Sequence, residues 1–330
     1  MIKIAVDAYG GDNAPEEIVQ GAFSALAMDA ELSVVLVGKE APLRALCQDS
    51  KYLDRIEIAP AEDVIGCDET PVVAIRRKKN ASIPRMFTLA AEGGADGCVS
   101  AGSTGAVLAG GIFLAGRMQG VKRPGLCPLL PTVTGGNVLL VDCGANTDCK
   151  PEYLLQFAQM GVAYIRCLYG IENPRIGLLS NGAEDEKGNE LIKETNALLR
   201  ASGLNFVRNA EAREMLSGEF DIIVSDGFNG NIALKSAEGT AGAVFTLLKQ
   251  GIASSFRAKL GAALMMPVLK KIKKRMDYTE HGGAALLGIN IPLVKVHGST
   301  KAKSMAAAIL QCKRMVETDL VQKMKEFFHE

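Results

Sequence analysis

The chain has 330 residues, 48% hydrophobic and 22% charged, so it can bury one large core or two smaller ones and is not a disordered chain. Its 37 basic and 37 acidic residues balance to a formal charge of zero, which argues against a nucleic-acid binder that relies on overall positive charge. Its eight cysteines and three histidines are dispersed, so we expect reduced thiols, no metal and a cytoplasmic protein. No apolar run approaches the roughly 20 residues that span a bilayer, so we expect neither a secreted nor a membrane-spanning protein.

Five stretches share one pattern, in which an apolar run typical of a buried strand leads into a loop rich in Gly, Asn, Ser and Asp. They are Ile4–Ala14, Gly97–Val107, Val138–Asn146, Ile176–Lys187 and Ile222–Lys235. The carboxyl ends of parallel strands meet at one edge of a sheet, where α/β proteins bind ligands. If these strands share one sheet, their small polar residues converge at that edge.

Strand and helix patterns alternate along the chain as far as about Gly239, which predicts an α/β fold with a doubly wound, mostly parallel sheet flanked by helices. Two long helical runs follow, which we interpret as a protruding hairpin over residues 240–276. A strand at Pro292–His297 and an amphipathic helix at about Lys301–Phe328 complete the chain. There is no clear linker or internal repeat, so we expect residues 1–330 to form one unit with a central cleft.

The loop Ser100–Ala106 has the composition of an anion site. It combines small residues and two hydroxyls with the start of an apolar helix. Backbone N–H groups at a helix start bind anions, and glycines let a phosphate come close. We therefore predict that Gly102, Ser103, Thr104 and Gly105 bind phosphate. A tight strand-to-helix turn that binds nothing is the alternative.

A second candidate loop begins after the strand that ends near Val224. It places Asp226, Asn229 and Asn231 at a strand end and Lys235 one helical turn further. We predict that these four residues complete the site, with Lys235 or an asparagine amide stabilising charge on a phosphate or carbonyl oxygen. A helix cap followed by a solvated lysine is the alternative.

Supporting roles are assigned to four polar residues in the remaining loops. The two aspartates among them would repel phosphate if they faced it directly, so we expect them to orient loop amides. The four residues are Asp7, Asp12, Asn146 and Asn181.

The chain shows neither a Ser-His-Asp order, nor a Walker loop, nor a dinucleotide fingerprint after a strand. The pattern therefore favours chemistry that needs a bound anion more than a protein nucleophile. Inorganic phosphate is such a reactant, because it is nucleophilic as it stands. An enzyme could position it and stabilise the oxyanion that forms on an acyl carbonyl.

Six motifs, in order along nearly the whole chain, resemble the PlsX family of acyl carrier protein:phosphate acyltransferases. They are Val6–Asp12 (VDAYGGD), Ser100–Ala106 (SAGSTGA), Val141–Asn146 (VDCGAN), Gly177–Gly188 (GLLSNGAEDEKG), Asp226–Lys235 (DGFNGNIALK) and His281–Gly288 (HGGAALLG). The resemblance implies transfer of a long-chain acyl group from acyl carrier protein to inorganic phosphate. The acyl phosphate product would feed glycerol-3-phosphate acylation in phospholipid synthesis.

The same resemblance implies a fold similar to the phosphotransacetylase and isopropylmalate dehydrogenase group. It also implies a homodimer and peripheral membrane association. We expect no cofactor. A membrane glycerol-3-phosphate acyltransferase would be a further partner, and no nucleic acid is expected.

The hairpin carries an apolar residue at every fourth position, followed by a basic cluster. The apolar residues are Ile252, Phe256, Leu260, Leu264 and Val268, and the basic ones are Lys270, Lys271, Lys273, Lys274 and Arg275. Such a pattern is typical of a helix that lies on an anionic membrane. A helix pair buried at a dimer interface is the alternative.

A second basic cluster, Arg76–Lys79, could attract the acidic acyl carrier protein, although a solvated face explains it equally well. Three other functions stay open. They are a phosphotransacetylase-like enzyme that uses acyl-coenzyme A, a non-catalytic membrane scaffold for acyl carrier protein, and a dehydrogenase of the related fold.

Overall fold

The computed structural model describes residues 1–276 and 282–328, without the side chains of Lys273, Lys274 and Met276. The first residue of the predicted motif His281–Gly288 therefore lies outside the described part. The side chains of two lysines in the predicted basic cluster, Lys273 and Lys274, also lie outside it.

The described residues form twelve strands in two sheets, flanked by helices. The strands are β1 (Ile2–Asp7), β2 (Leu32–Gly38), β3 (Ile56–Pro60), β4 (Gly97–Ser100), β5 (Gly125–Cys127), β6 (Leu129–Pro131), β7 (Asn137–Val141), β8 (Ile176–Ser180), β9 (Phe206–Glu211), β10 (Ile222–Val224), β11 (Ala284–Leu287) and β12 (Leu293–Lys295).

Most of the helices lie in the connections between strands. They are α1 (Glu16–Met28), α2 (Glu40–Cys47), α3 (Pro71–Arg77), α4 (Ser82–Ala91), α5 (Thr104–Gly110), α6 (Pro151–Tyr169), α7 (Glu190–Ala201), α8 (Gly227–Ala253), α9 (Phe256–Met276), α10 (Ala302–Glu317) and α11 (Leu320–Glu326). Short 3₁₀ turns occur at Leu53–Arg55 and Ala212–Glu214, and a π-helical turn at Gly111–Ala115 continues α5.

The first sheet has the strand order β3-β2-β1-β4-β12-β11-β5 and the second has the order β6-β7-β10-β8-β9. Both are mostly parallel: β11 runs antiparallel to its two neighbours, and β6 runs antiparallel to β7. The predicted α/β class is therefore confirmed. The five strand-and-loop stretches do not share one sheet, however, because β1 and β4 belong to the first sheet and β7, β8 and β10 to the second.

The chain crosses from the first sheet to the second at Pro128, which lies between β5 and β6. Proline has no backbone N–H and cannot continue a strand ladder, which favours a change of sheet at this residue. The two strand ends on either side of Pro128 are therefore the point at which the two sheets meet.

The inner strands of the first sheet are apolar on both faces because helices cover both faces. In β1, Ile4 and Val6 belong to one buried cluster, whereas Ala5, between them, belongs to another. Val99 and Cys98 of β4 divide in the same way. This alternation fixes which side chains of each strand end point to the same side.

The predicted hairpin consists of α8 and α9, which pack against each other, but its first helix begins much earlier than residue 240. Near its start, Leu234 packs on the buried cluster of the second sheet. Ile252 lies on α8 whereas the apolar stripe from Phe256 onward lies on α9, so the predicted five-residue stripe is divided between two helices. Arg275 joins the end of α9 to the β6–β7 turn by donating a hydrogen bond to the Val133 carbonyl, 2.6 Å away.

The predicted C-terminal helix is also divided, into α10 and α11. Asp319 between them has a φ of 51°, a left-handed conformation that interrupts a right-handed helix. Helix α10 packs on α1 and on the first sheet, so it covers one face of that sheet as expected for an amphipathic helix.

Candidate active site

A cleft of about 990 Å³ is lined by residues from both sheets. The loops that follow β1, β4 and β12 line it from the first sheet. Cys143 and Gly144, which follow β7, and the first turns of α8 line it from the second. Apolar residues of the crossing segment 126–130 complete the lining. The carboxyl ends of parallel strands thus meet here as predicted, although they come from two sheets rather than one.

Three side chains of different chemistry form a row at the carboxyl ends of β1, β4 and β12. Ser100 is paired with Lys295 across β4 and β12, and Val6 is paired with Val99, which brings Asp7 beside Ser100. The Ser100 hydroxyl donates to the Asp7 carboxylate at 2.6 Å and accepts from the Gly102 N–H at 3.0 Å. The Asp7 carboxylate, the Ser100 hydroxyl and the Lys295 ammonium therefore lie side by side, and the hydroxyl is hydrogen-bonded to the loop that contains Gly102.

All three residues of this row are buried. Burial raises the pKa of Asp7, although hydrogen bonds from Ser100 and Ser82 and the charge of Lys295 oppose the shift. Burial lowers the pKa of Lys295 to about 8, opposed by the negative charge of Asp7. A lysine with this pKa is mostly protonated at neutral pH and can attract an anion.

The glycines at this end of the cleft allow backbone to approach backbone. A Cβ atom on Gly10 would lie 2.4 Å from Oδ2 of Asp7 and 2.6 Å from the Gly102 nitrogen. Gly11 has a φ of +94°, and its neighbour Asp12 donates its N–H to the Gly298 carbonyl at 2.8 Å. The loops after β1, β4 and β12 are therefore held together by contacts that a side chain would block.

Seven of the predicted site residues line the cleft: Gly102, Ser103, Thr104, Asn231, Lys235, Asp7 and Asp12. Lys235 forms an ion pair with Glu238 at 2.7 Å, and its side chain is 53% exposed. Asn231 lies next to Gly144 of the facing loop, since a Cβ on that glycine would be 3.8 Å from the asparagine Cγ. The predicted roles of these seven residues stay predictions.

Gly105 is not among the residues that line the cleft. It lies in the first turn of α5, and a Cβ there would be 2.5 Å from Cγ of Pro71. Gly105 therefore serves the packing of α5 on α3, and its predicted contact with phosphate stays a prediction. The glycine is needed for that packing, which sequence pattern alone does not distinguish from a ligand contact.

Asp226 and Asn229 were predicted to be catalytic, but the structure uses both to begin α8. The Asp226 carboxylate accepts hydrogen bonds from the Phe228 N–H at 3.0 Å and from the Asn229 N–H at 2.8 Å. The Asn229 amide donates to the same carboxylate at 2.7 Å. Neither residue lines the cleft. Their hydrogen bonds are those of the helix cap that we gave as the alternative, and their predicted catalytic role stays a prediction.

Asn146 and Asn181 also lie away from the described cleft lining. The Asn146 amide donates to the Pro124 carbonyl at 2.8 Å and to the buried Asp142 carboxylate at 2.9 Å, so it stabilises the loop after β7. Asn181 is exposed at the end of β8. Asn146 therefore stabilises the loop after β7, and the predicted supporting role of Asn181 stays a prediction.

Sequence reasoning missed Lys295, His297 and Ser299, all of which line the cleft. The signal was a lysine inside the apolar run that forms β12, directly before a loop of His, Gly, Ser and Thr. A charged residue in a buried strand needs a partner or a ligand. Within the described residues, no group of three or more His, Cys, Asp and Glu side chains is placed to hold a metal ion.

Comparison with known proteins agrees with this architecture. Residues 2–323 match the family described as Fatty acid synthesis protein. The chain belongs to this family. A phosphate acyltransferase of Geobacillus thermodenitrificans is 49% identical over 324 residues, which cover 98% of each chain. One from Bacillus licheniformis is 47% identical over 325 residues, again 98% of each chain. The predicted family and the predicted enzyme class, an acyltransferase of lipid synthesis, are therefore confirmed.

Solved structures agree at the level of the fold. A phosphotransacetylase from Streptococcus pyogenes has a TM-score of 0.60 at 18% identity and covers 95% of this chain and 94% of its own. The EutD phosphotransacetylase from Staphylococcus aureus has a TM-score of 0.61 at 17% identity, covering 96% and 94%. The predicted fold likeness to phosphotransacetylases is thereby confirmed.

Proposed function

We propose that this protein transfers a long-chain acyl group from acyl carrier protein to inorganic phosphate and so supplies acyl phosphate for phospholipid synthesis. Acyl transfer to phosphate follows from its family. The acyl carrier protein, the long chain and the residues that act are the proposal. The observation that carries the proposal is the lining of the cleft. One part of this lining has a buried cation and glycine-rich loops, and another part has leucines.

Phosphate would bind between the Gly102–Thr104 loop and Lys295. Backbone N–H groups in a glycine-rich loop and a buried ammonium both favour an anion. Ser100 supports this arrangement, because its hydroxyl holds the Gly102 N–H on one side and Asp7 on the other. Asp7 would partly offset the charge of Lys295 and keep it protonated in a buried position.

The acyl chain would lie against Leu126, Leu129 and Leu130 of the crossing segment and against Leu234 of α8, all of which line the cleft. The three leucines of the crossing segment are at most 8% exposed, each in a different buried cluster. An acyl phosphate has a charged head and an apolar tail, so a cleft with both kinds of lining suits it. Lys235 borders this lining and would stabilise charge on the transferred group after leaving Glu238.

Acyl carrier protein would dock beside α3, which carries Arg76 and Arg77 on its exposed surface together with Val72 and Val73. This helix lies at the cleft, since residues 64–67 just before it line the cleft. Charge reversal by Arg76→Glu and Arg77→Glu together should raise KM for acyl carrier protein thioesters and leave KM for acyl-coenzyme A unchanged. Lys51→Glu, at an exposed lysine between α2 and β3, is the control.

The exposed apolar surface of α8 and α9 supports both a homodimer and membrane association. Of the described side chains in these helices, those of Phe256, Leu260 and Leu264 are 81%, 58% and 80% exposed, although they are large and apolar. No helix among the described residues is long and apolar enough to cross a membrane. A surface of this kind is covered by a partner or by lipid.

We place the membrane contact on α9 and the dimer contact on α8, whose Val244, Leu247 and Leu248 are also exposed. Burial of a large apolar side chain contributes about 1.5–3 kcal/mol, and each basic residue near an anionic surface about 1 kcal/mol. The protein would therefore be cytoplasmic and reversibly bound at the membrane, where a glycerol-3-phosphate acyltransferase could receive its product.

Two substitutions separate these contacts. Leu264→Asp should abolish sedimentation with anionic liposomes while the protein remains a dimer, and Leu247→Asp should give monomers by light scattering. Leu53→Asp, at an exposed leucine away from the hairpin, is the control for both. If Leu264→Asp gives monomers instead, α9 is the dimer interface and the membrane proposal for it is wrong.

The donor is tested directly by supplying palmitoyl-acyl carrier protein or palmitoyl-coenzyme A with phosphate and measuring acyl phosphate. The proposal predicts a much larger kcat/KM for the carrier protein thioester. Preference for the coenzyme A thioester would identify a phosphotransacetylase-like enzyme, and acyl carrier protein binding without product would identify a scaffold.

A further inference from the structure

His297 has its two ring nitrogens in different situations. Its Nδ1 lies 2.9 Å from the Ser299 hydroxyl and accepts from the Ser299 N–H at 3.2 Å. A backbone N–H can only donate, so Nδ1 is the acceptor and the neutral ring carries its proton on Nε2. The neighbouring hydroxyl can also donate to Nδ1, which favours the same tautomer.

The ring is held by a turn that starts at His297 itself. The Thr300 N–H donates to the His297 carbonyl at 3.0 Å, which closes the turn. The side chain is exposed and lines the cleft, two residues after Lys295 at the end of β12. In its neutral form the ring thus offers an N–H donor on a side chain that lines the same cleft as Lys295, without the positive charge of a lysine.

We infer that His297 is a catalytic residue that donates a hydrogen bond from Nε2 to the carbonyl oxygen of the acyl thioester, stabilising the oxyanion that forms during transfer. This inference rests on the proposed acyl transfer. A neutral donor suits an oxygen that is uncharged before the reaction and negative during it, whereas the charge of Lys295 suits the permanent anion.

The reaction balances without a change in His297. An oxygen of hydrogen phosphate attacks the carbonyl carbon and forms the new C–O bond, and the carbonyl oxygen takes up the displaced electron pair. The pair then returns, the C–S bond breaks and sulfur leaves with its bonding electrons. The proton that hydrogen phosphate brought is transferred to sulfur, giving acyl phosphate and a thiol.

A matched pair of substitutions separates this role from support of the turn. Asparagine can accept the Ser299 N–H with its side-chain oxygen and keep the turn, but it has no donor at the position of Nε2. Glutamine places an amide N–H near that position. We therefore expect His297→Asn to lower kcat by about 10²–10³, with KM for phosphate unchanged, and His297→Gln to recover part of this loss.

Two kinetic results would overturn the inference. A rise in KM for phosphate at normal kcat would place His297 on the phosphate, and normal turnover in His297→Asn would leave it only the turn. Nitrogen-15 NMR of the wild-type imidazole tests the tautomer independently of turnover. A neutral ring protonated on Nδ1 would contradict the inference even in an active enzyme. Absence of acyl phosphate from the wild type with every thioester donor would instead reject the proposed function, and the inference with it.

Discussion

Replacing Lys295 with methionine should weaken phosphate binding while making the protein more stable. The substitution removes the ammonium and retains most of the buried side-chain volume. The opposite directions of the two effects follow from the buried position of the lysine and from its pKa of about 8. A residue that serves only the fold would not produce this combination.

The stability change follows from the pKa. The folded chain holds the Lys295 proton more weakly than the unfolded chain, since its pKa falls from 10.5 to about 8. The resulting penalty is fully present below pH 8 and declines as the pH rises from about 8 to 10.5. At about 1.4 kcal/mol for each pKa unit, methionine should raise the free energy of unfolding at pH 7 by up to about 3 kcal/mol. The gain is reduced because Asp7 loses a neighbouring positive charge.

The loss in binding follows from the hydrogen bond to phosphate. A hydrogen bond to a charged group contributes about 1.5–3 kcal/mol, which corresponds to a rise of about 10-fold to 150-fold in KM for phosphate. Thermal unfolding and initial rates of acyl phosphate formation at several phosphate concentrations measure both effects. Lys301→Met, at an exposed lysine that lines the same cleft, is the control. An unchanged KM for phosphate in Lys295→Met would refute the reasoning.

Three further predictions concern the same cleft. KM for phosphate should rise as the pH increases through about 8, because Lys295 then loses its proton, and rate measurements across this range should show no such rise in Lys295→Met. Gly10→Ala should lower phosphate-dependent turnover, because the new Cβ would lie 2.4 Å from the Asp7 carboxylate. Gly239→Ala, where a Cβ meets nothing within 4 Å, is the kinetic control. Equal rates for the two variants would refute the prediction. Lys235→Ala should lower kcat by about 10²–10³. The unfolding temperature should change little, since the exposed ion pair with Glu238 contributes little stability. A normal rate would show that Lys235 takes no part in the reaction, and Lys249→Ala, further along α8, is the control.

The strand-and-loop pattern predicted the α/β class and also predicted that the loops after β1 and β4 belong to the site. Both predictions rest on residues that are close together in the sequence. Asp7 and Gly102 could be proposed from the same residues that end their strands. The lysine inside the β12 run is visible in the sequence, but its place beside Ser100 could not be predicted, because β12 lies far along the chain and pairs with β4 only through the strand order of the whole sheet. Apolar periodicity within a segment carries no information about that order.

The surroundings of two other predicted site residues could not be read from the sequence, for a different physical reason. An aspartate directly after a strand can be a helix cap or a ligand, and the sequence around Asp226 fits both. The structure shows the cap, because α8 begins at Gly227. Gly105 appears suited to phosphate, but the packing of α3 on α5 occupies the space beside it. Both cases depend on the direction in which a residue faces after the helices are placed.

The most direct test of the cleft as the site of acyl transfer to phosphate is phosphorus-31 NMR of the reaction with palmitoyl-acyl carrier protein. Wild-type protein and Lys295→Met would be compared at one limiting phosphate concentration. We expect a growing acyl phosphate resonance with the wild type and a much slower one with the variant, restored at high phosphate. Equal rates for the two proteins at limiting phosphate would contradict the placement of the phosphate site beside Asp7, Ser100 and Lys295.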